Sequence, residues 1–101
     1  MAHVTTFRSK IQPGKRQALV DLMDKWEREQ KAQATGFQRS VVVANNNDEN
    51  DITTVVFWDT TENYNKNSER PAQDAWFQEF RSMLASEPQW FDGNIIMDRS
   101  A

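Results

Sequence analysis

The stretch ITTVVFWD at residues 52–59 decides the fold of this chain. Its β-branched and aromatic side chains are typical of a β-strand, in which successive side chains point to opposite faces of the sheet. Val56 and Trp58 would lie on one face, and Val55 and Phe57 on the other. A strand with one face in water would instead alternate apolar with polar residues. We therefore expect a sheet that is covered on both faces.

The segments around this strand predict three further strands and three helices. Pro13 and Gly14 break the first apolar segment, and Gly36 is a natural end for the helix between them. The polar run at residues 45–51 is rich in turn-forming residues and predicts a hairpin. The predicted strands cover residues 4–11, 37–44, 52–59 and 90–97, and the predicted helices cover about residues 14–34, about residues 60–67, and a segment that starts at residue 71.

The order β-α-β-β-α-β is that of the ferredoxin-like fold, an α+β architecture with helices on one face of an antiparallel sheet. Leu19, Leu22, Met23 and Trp26 recur at the spacing of an amphipathic helix, which predicts that these side chains, Trp26 included, belong to the core. The helices of one chain cover only one face of the sheet. We therefore expect a twofold homodimer in which a second copy covers the other face.

The length and charge of the chain limit the classes of function that it can have. At 101 residues the chain has room for a single domain, which we place at residues 1–101. The net charge of −3 comes without a basic stripe for nucleic acid or a polybasic segment for a membrane, so we expect neither partner. The first residues form no apolar signal segment, and we expect a cytoplasmic protein.

Metal sites are disfavoured by the sequence. The chain has no cysteine and a single histidine, His3, which excludes cysteine-ligated and multi-histidine sites. The polar run at 45–51 lacks the glycine and the closing bidentate glutamate of a calcium-binding loop. We therefore predict no metal site.

Four short patterns, in this order, resemble a known protein family. They are Ile11-Gln12-Pro13-Gly14-Lys15 after the first strand, Phe57-Trp58 at the end of the third, the helical run 76–80 (WFQEF), and Asp92-Gly93 in the last strand. Together they resemble the antibiotic biosynthesis monooxygenase family of dimeric α+β barrels. The resemblance implies a homodimer with a pocket between sheet and helices in each subunit. Some members of the family oxidise electron-rich aromatic compounds or quinols with O₂ and no metal or flavin, and others degrade haem.

The chain departs from the family pattern at a histidine. Many relatives carry one in the short helix after the strand-3 tryptophan, and counting nine residues on from Trp58 reaches Asn67 here. The haem-degrading branch needs a helical histidine as axial ligand, and residues 72–84 contain none. Haem degradation is therefore disfavoured, and no cofactor is expected. His3 is suited to proton transfer as an imidazole, but its place near the start of the sequence makes an incidental role the simpler interpretation.

Three residues are candidates for catalysis on an anionic substrate. Trp58 would offer an indole N–H, Asn67 an amide, and Arg81 a guanidinium that would reach an enolate if it turned inward. The simpler interpretations are a solvated helix residue for Asn67 and a surface charge for Arg81. An aromatic stripe at helical spacing is also more often core than binding site. The predicted substrate-binding residues are Phe7, Tyr64, Trp76, Phe80 and Trp90.

The sequence leaves three functional hypotheses. The first is a cofactor-independent monooxygenase that oxidises a small electron-rich aromatic compound or quinol with O₂ in a pocket between sheet and helices. The second is a dimer that binds a small hydrophobic ligand without turning it over. The third is a structural dimerisation unit, which requires a filled interior with no cavity.

Overall fold

The structure is a computed structural model that describes residues 2–101. Strand β1 spans His3–Lys10 and is followed by helix α1 at Arg16–Gln30, with a 3₁₀ turn at Lys31–Gln33. Within residues 2–101, no helix combines the length and apolar character needed to cross a bilayer. The remaining elements are β2 (Phe37–Asn45), β3 (Asp48–Trp58), α2 (Thr61–Ser68), α3 (Pro71–Ser82) and β4 (Gln89–Asn94).

The four strands form one antiparallel sheet in the order β2-β3-β1-β4. This confirms the predicted ferredoxin-like α+β fold, with α2 and α3 together in the second helical position. In the register of β1 with β3, His3 lies opposite Trp58 and Phe7 lies opposite Thr54. Trp90 of β4 lies on the other side of Phe7. One face of the sheet therefore carries His3, Phe7, Thr54, Trp58 and Trp90.

The helices pack on that face, which we call the inner face. Leu19 and Leu22 of α1 and Phe80 of α3 are buried there, as the helical spacing predicts. The ring of Phe7 meets Phe80 edge-on at 5.5 Å between ring centres, a favourable aromatic geometry. The buried core comprises Phe7, Ile11, Leu19, Leu22, Ile52, Phe80 and Leu84.

The opposite face of the sheet, which we call the outer face, is also apolar. Val55 lies between Thr6 and Val41 in the register, and Phe57 lies beside Val4. The apolar character of β3 on both faces is thus confirmed. Other large side chains of the outer face are exposed in the single chain, with Val43 at 51% and Phe91 at 69%.

Local chemistry accounts for where the elements begin. Thr60 caps α2, its hydroxyl accepting from the backbone N–H of Asn63 at 3.1 Å. Pro71 occupies the first turn of α3, where its missing N–H costs nothing. Gly36 has a φ of +86° at the entry to β2, and a Cβ there would collide with the carboxylate of Asp59. Glycine at this position therefore lets the chain enter the sheet beside the end of β3.

Several boundaries differ from the sequence prediction, most clearly the end of β4 and the hairpin between β2 and β3. The predicted fourth strand is wrong at its end, because β4 stops at Asn94, which pairs with the first residue of β1. Ile96 beyond it is 92% exposed. The predicted hairpin is present, but its turn is only Asn46 and Asn47. Side-chain oxygens accept from backbone N–H groups on both sides of this turn and so hold it in place.

A charged cluster on the outer face explains why β3 extends through the polar run. Arg8 donates to both carboxylate oxygens of Asp51, Nε at 3.0 Å and Nη2 at 2.6 Å, and Asn45 donates to Oδ2 at 3.0 Å. Asp51 is buried by these neighbours. The hydrogen bonds from Arg8 and then Asn45 lower the pKa of Asp51 well below its usual range. Through this carboxylate, β1 and the β2–β3 hairpin are tied together.

We expect Asp51→Asn to lower the free energy of unfolding at neutral pH, because it removes the charge that Arg8 binds. Since the folded-state pKa of Asp51 is depressed, its contribution is present above the ordinary carboxyl pKa of about 3.9 and is lost as pH falls below it. The difference in unfolding free energy between wild type and Asp51→Asn should therefore become smaller as the pH falls below the ordinary carboxyl pKa. Urea denaturation across this pH range measures it, with the exposed Asp98→Asn as the matched control. A difference that stays constant with pH would contradict this assignment.

Candidate functional site

A cavity of about 340 Å³ lies between the inner face of the sheet and the helices. This volume is in the range of small-molecule sites. Its presence is incompatible with the filled interior that the structural-unit hypothesis requires. The strand wall comprises Thr5, Phe7, Phe37, Ser40, Thr54, Val56, Trp58, Trp90 and Asp92, and the helix wall comprises Met23, Trp26, Tyr64, Asn67, Ser68, Gln73, Asp74, Trp76 and Phe77.

Trp58 stands at the end of β3, where strand alternation turns its side chain to the inner face. It is 2% exposed, and Phe37 and Tyr64 meet its ring edge-on, at 5.7 and 5.9 Å between ring centres. Its Nε1 donor is buried and finds no acceptor in residues 2–101. The hydroxyl of Thr54, on the same face of β3, is likewise buried without a partner in the described chain.

These two groups make the cavity chemically specific. A buried donor left without an acceptor costs about 1–3 kcal/mol, and native proteins keep such groups rarely. Trp58 and Thr54 both line the cavity. The two polar atoms themselves are covered by neighbouring atoms, with less than 1 Å² of each accessible. A ligand that displaces these neighbours and presents acceptor atoms would satisfy both donors, so the site suits an oxygen-bearing ligand.

The two other tryptophans on the helix wall already have acceptors. Trp26 donates from Nε1 to Oε1 of Gln73 at 2.7 Å, and Trp76 donates to the backbone carbonyl of Leu22 at 3.1 Å. Trp26 was predicted to be core, but it is half-buried and lines the cavity. Its position in the last turns of α1 carries it past the buried Leu22 towards α3. These indoles shape the wall, and Trp58 alone of the three has a free donor within the described chain.

Asn67 is buried, at 5% exposure, and lines the cavity as the candidate assignment requires. Its Oδ1 accepts from Nη1 of Arg70 at 2.9 Å, and Nη2 of Arg70 is bound in turn by Oε1 of Gln30 at 2.5 Å. The solvated helix residue that was the simpler interpretation is therefore not what the fold produces. With Oδ1 held by Arg70, the amide Nδ2 has no hydrogen-bond partner among the described residues.

The other predicted site residues divide into two groups. Phe7, Tyr64 and Trp90 line the cavity. Phe80 is completely buried behind the wall and stacks on Trp76 at 5.5 Å, so it supports the lining without reaching the cavity. Arg81 lies outside, exposed and paired with Glu87. The structure therefore does not bring Arg81 to the site.

Sequence reasoning missed a polar cluster beside the cavity, formed by His3, Thr5, Thr61 and Asp92, of which His3 and Thr5 are buried. His3 is 3% exposed, and its ring stacks on Tyr64 at 4.3 Å. Its Nδ1 lies 3.0 Å from Oγ1 of Thr61, and its Nε2 lies 2.9 Å from Oγ1 of Thr5 and 3.3 Å from Oδ1 of Asp92. Strand alternation from Phe7 contained the signal, because it places His3 on the inner face.

The site offers isolated donors and acceptors in place of a metal-ligand set. Within residues 2–101, no group of three or more His, Cys, Asp or Glu side chains is arranged to hold a metal ion. The ring nitrogens of His3 lie 3.0 and 2.9 Å from the hydroxyl oxygens of Thr61 and Thr5. What the arrangement can do is bind an aromatic ligand and stabilise negative charge on its oxygen.

Comparison with known proteins agrees with this architecture. A model of the family described as antibiotic biosynthesis monooxygenase matches residues 1–87. A search of curated protein sequences gives no match. Among solved structures, SnoaB, a cofactor-independent oxygenase from Streptomyces nogalater, superposes with a TM-score of 0.83 at 9% identity, covering 96% of this chain and 95% of that one.

Two further structures show the same fold. A conserved protein from Methanosarcina mazei has a TM-score of 0.82 at 14% identity, covering 93% of this chain and 92% of its own. Rv0793 from Mycobacterium tuberculosis has a TM-score of 0.81 at 12% identity, covering 99% of this chain and 100% of its own. At these identities the likeness shows the shared fold alone.

The different states of the two indoles give a stability prediction. Trp58→Phe and Trp76→Phe remove the same atoms, but only Trp76→Phe breaks a hydrogen bond. Trp58→Phe instead removes an unsatisfied buried donor. We expect Trp76→Phe to lose at least about 1 kcal/mol more unfolding free energy than Trp58→Phe, measured by urea denaturation. Equal losses, or a larger loss for Trp58→Phe, would show that the Trp58 N–H is satisfied in the folded protein.

Proposed function

The chain belongs to the antibiotic biosynthesis monooxygenase family, and we propose that it is a cofactor-independent monooxygenase acting on a small electron-rich aromatic compound or quinol. The cavity between sheet and helices is the proposed site of reaction. The structural relative named as a cofactor-independent oxygenase supports this reaction class.

The buried N–H of Trp58 without an acceptor is the observation that carries the proposal. Oxidation by O₂ without a cofactor requires the substrate to become an electron-rich anion. A preorganised donor in a water-poor aromatic pocket stabilises such an anion where its charge develops. Thr54 supplies a second donor on the same wall, and the rings of Phe7, Trp76 and Trp90 enclose an aromatic body.

The proposed reaction balances without another reductant. A phenol loses its hydroxyl proton, and the resulting anion gives electrons to O₂. One oxygen atom is incorporated as the second carbonyl oxygen of a quinone. The other leaves as water with the two hydrogens removed from the substrate, so the substrate supplies all the electrons.

Non-catalytic binding of a small hydrophobic ligand is the second candidate. The same unsatisfied donors would bind the oxygen of a ligand that is never oxidised, and the cavity volume suits either role. The two functions differ in whether O₂ is consumed.

Oxygen uptake with a panel of naphthohydroquinone, anthrone and resorcinol tests the enzyme directly, with autoxidation without protein subtracted. We expect uptake with at least one compound and a fall of about 10²-fold in kcat/KM for Trp58→Phe, because one oxyanion-type donor is removed. Trp76→Phe is the matched control, since its N–H is committed to Leu22, and it should lose much less. Retention of a compound without oxygen uptake by any panel member would favour the binding function and contradict the enzyme.

We further propose that the chain forms a homodimer through the outer face of the sheet. Val43 and Phe91 are largely exposed there, beside the partly buried Val41, Val55 and Phe57. Removing apolar surface from water contributes about 25 cal/mol per Å², which must exceed the entropic cost of association. A twofold axis lets the same face serve both subunits.

Two valines of equal exposure test the dimer. Val43 on the outer face is 51% exposed and Val20 on α1 is 50% exposed. Introducing a charge at either position should therefore lower the stability of an isolated chain by a similar amount. We expect Val43→Asp to dissociate the dimer because an unpaired charge would be buried at the interface, and Val20→Asp to leave it intact. Light scattering at micromolar concentration should give twice 11.8 kDa for wild type and Val20→Asp. A monomeric wild type, or a dimeric Val43→Asp, would refute this interface.

A further inference from the structure

The polar cluster of His3, Thr5, Thr61 and Asp92 stands directly behind the cavity wall. Thr5 and Asp92 line the cavity, whereas His3 lies behind them. The side chain of Asp92 is 45% exposed and that of His3 is 4% exposed. The cluster therefore has an acidic group in contact with the cavity and an imidazole sealed from it. We propose that Asp92 takes the proton of a phenolic ligand and passes it to His3.

The hydrogen-bond partners in the cluster assign which nitrogen of His3 receives a proton. The oxygen of Thr61 lies 3.2 Å from Oδ1 of Asn94, which can only accept, and 3.0 Å from Nδ1 of His3. We assign the Thr61 hydrogen to Asn94, and with this assignment the hydrogen of a neutral His3 sits on Nδ1. This leaves the lone pair on Nε2.

Nε2 faces two oxygen atoms that supply it with no hydrogen. Thr5 has one hydroxyl hydrogen and donates it to Oδ1 of Asp92 at 2.5 Å. Nε2 then lies 2.9 Å from the Thr5 oxygen and 3.3 Å from the Asp92 oxygen, with no hydrogen in either contact. A proton added to Nε2 turns both contacts into hydrogen bonds and pairs the imidazolium with the carboxylate. When His3 is neutral, the cluster therefore lacks a hydrogen between Nε2 and the two oxygen atoms, and Nε2 can accept one proton.

The transfer follows from these positions. The O–H bond of the ligand breaks, its electron pair stays on the ligand oxygen, and the proton joins a carboxylate oxygen of Asp92. The proton then leaves Asp92 and forms the Nε2–H bond of His3. The products are a ligand anion in the cavity, facing the N–H of Trp58, and an imidazolium paired with Asp92. Asp92 is the catalytic residue in this scheme, while Thr5 and Thr61 are positioning residues.

The surroundings hold the imidazole in one orientation. The ring of Tyr64 stacks on it with an interplanar angle of 18°, and the same Tyr64 meets Trp58 edge-on. Among the described residues, the ionisable side chains that contact the imidazole are Asp92 from β4 and Tyr64 from α2. The proton-accepting imidazole and the Trp58 indole are therefore linked through the Tyr64 side chain.

This inference rests on the proposed function, because it assumes a ligand with an ionisable hydroxyl. Proton transfer is nevertheless measurable without oxidation. The chromophore para-nitrophenol absorbs differently as phenol and as phenolate, and binding under nitrogen excludes any reaction with O₂. Failure of proton transfer is then distinguishable from failure of oxygen uptake with the substrate panel.

The absorbance experiment uses a pH well below the ionisation midpoint of free para-nitrophenol. We expect wild-type protein to bind the probe as phenolate. Asp92→Asn and His3→Gln should bind it as phenol, with at least about tenfold less phenolate, which corresponds to one unit of pKa. Asp98→Asn removes the same charge from an exposed position and should behave as wild type. Circular dichroism checks that each variant is folded.

A second readout follows His3 itself. It is the only histidine of the chain, so its ring nitrogens give unambiguous NMR signals after labelling with nitrogen-15. At a pH where the free protein shows a neutral ring, saturating para-nitrophenol should protonate both ring nitrogens, and para-nitroanisole, which has no proton to give, should not. A merely structural His3 would respond to both probes alike.

Three results would overturn the proposal. The first is para-nitrophenol held as phenol by wild type, or no phenolate band at saturating probe. The second is undiminished phenolate in Asp92→Asn. The third is an imidazolium in the free protein at every pH where the probe stays protonated, because His3 would then have no capacity to accept a proton.

Discussion

The antiparallel pairing of β1 with β3 places Trp58 and Thr54 beside His3, Thr5 and Phe7, and the pairing of β1 with β4 adds Asp92 opposite Thr5. The first pairing sets His3 opposite Trp58, Thr5 opposite Val56 and Phe7 opposite Thr54. Because side chains alternate between faces, a slip of one residue would turn the β1 side chains onto the outer face. The pairing is held at one end by the Arg8–Asp51 hydrogen bonds. At the other end, beside the cavity, His3 joins β1 to Thr61 of α2 and to Asp92 of β4.

The cavity is maintained at a cost to folding. Two buried donors lack acceptors, and a volume of about 340 Å³ stays free of side chains in a domain with a small core. The stacked Trp76 and Phe80 and the edge-on contact of Phe7 with Phe80 stiffen the wall and offset part of this cost. Functional sites commonly retain such locally unfavourable groups because a ligand, and not the fold, satisfies them. Trp26 and Trp76 donate to protein acceptors, and Trp90 lines the cavity half-exposed, whereas Trp58 combines full burial with a donor that has no acceptor in the described chain.

Much of the fold could be predicted from the sequence, since helical spacing in α1 and the two-sided β3 each have few alternatives. The end of β4 could not, because it depends on where β1 begins to pair and not on the apolar residues 95–97 themselves. At the site, the aromatic lining was accessible from alternation and spacing. Whether each polar group has a hydrogen-bond partner could not be predicted. The indoles of Trp26 and Trp76 find acceptors on residues that are distant in sequence, and the indole of Trp58 does not. The burial of His3 was missed because proximity to the start of the sequence outweighed the strand parity that buries it. For Arg81 the simpler interpretation, a surface charge, is what the structure shows, since Arg81 pairs with Glu87 beyond the helix.

The most direct test of the account is the indole N–H of Trp58, observed by nitrogen-15 NMR with and without lawsone, a redox-stable hydroxyquinone. The chain has four tryptophans, so the indole signals can be assigned by single substitution. We expect lawsone to shift the Trp58 N–H signal downfield and to slow its exchange with water. The N–H signals of Trp26 and Trp76, already bound to protein acceptors, should change little. A Trp58 signal that is already hydrogen-bonded in the free protein, or that stays unchanged when lawsone binds, would contradict the claim that this donor is kept free for a ligand.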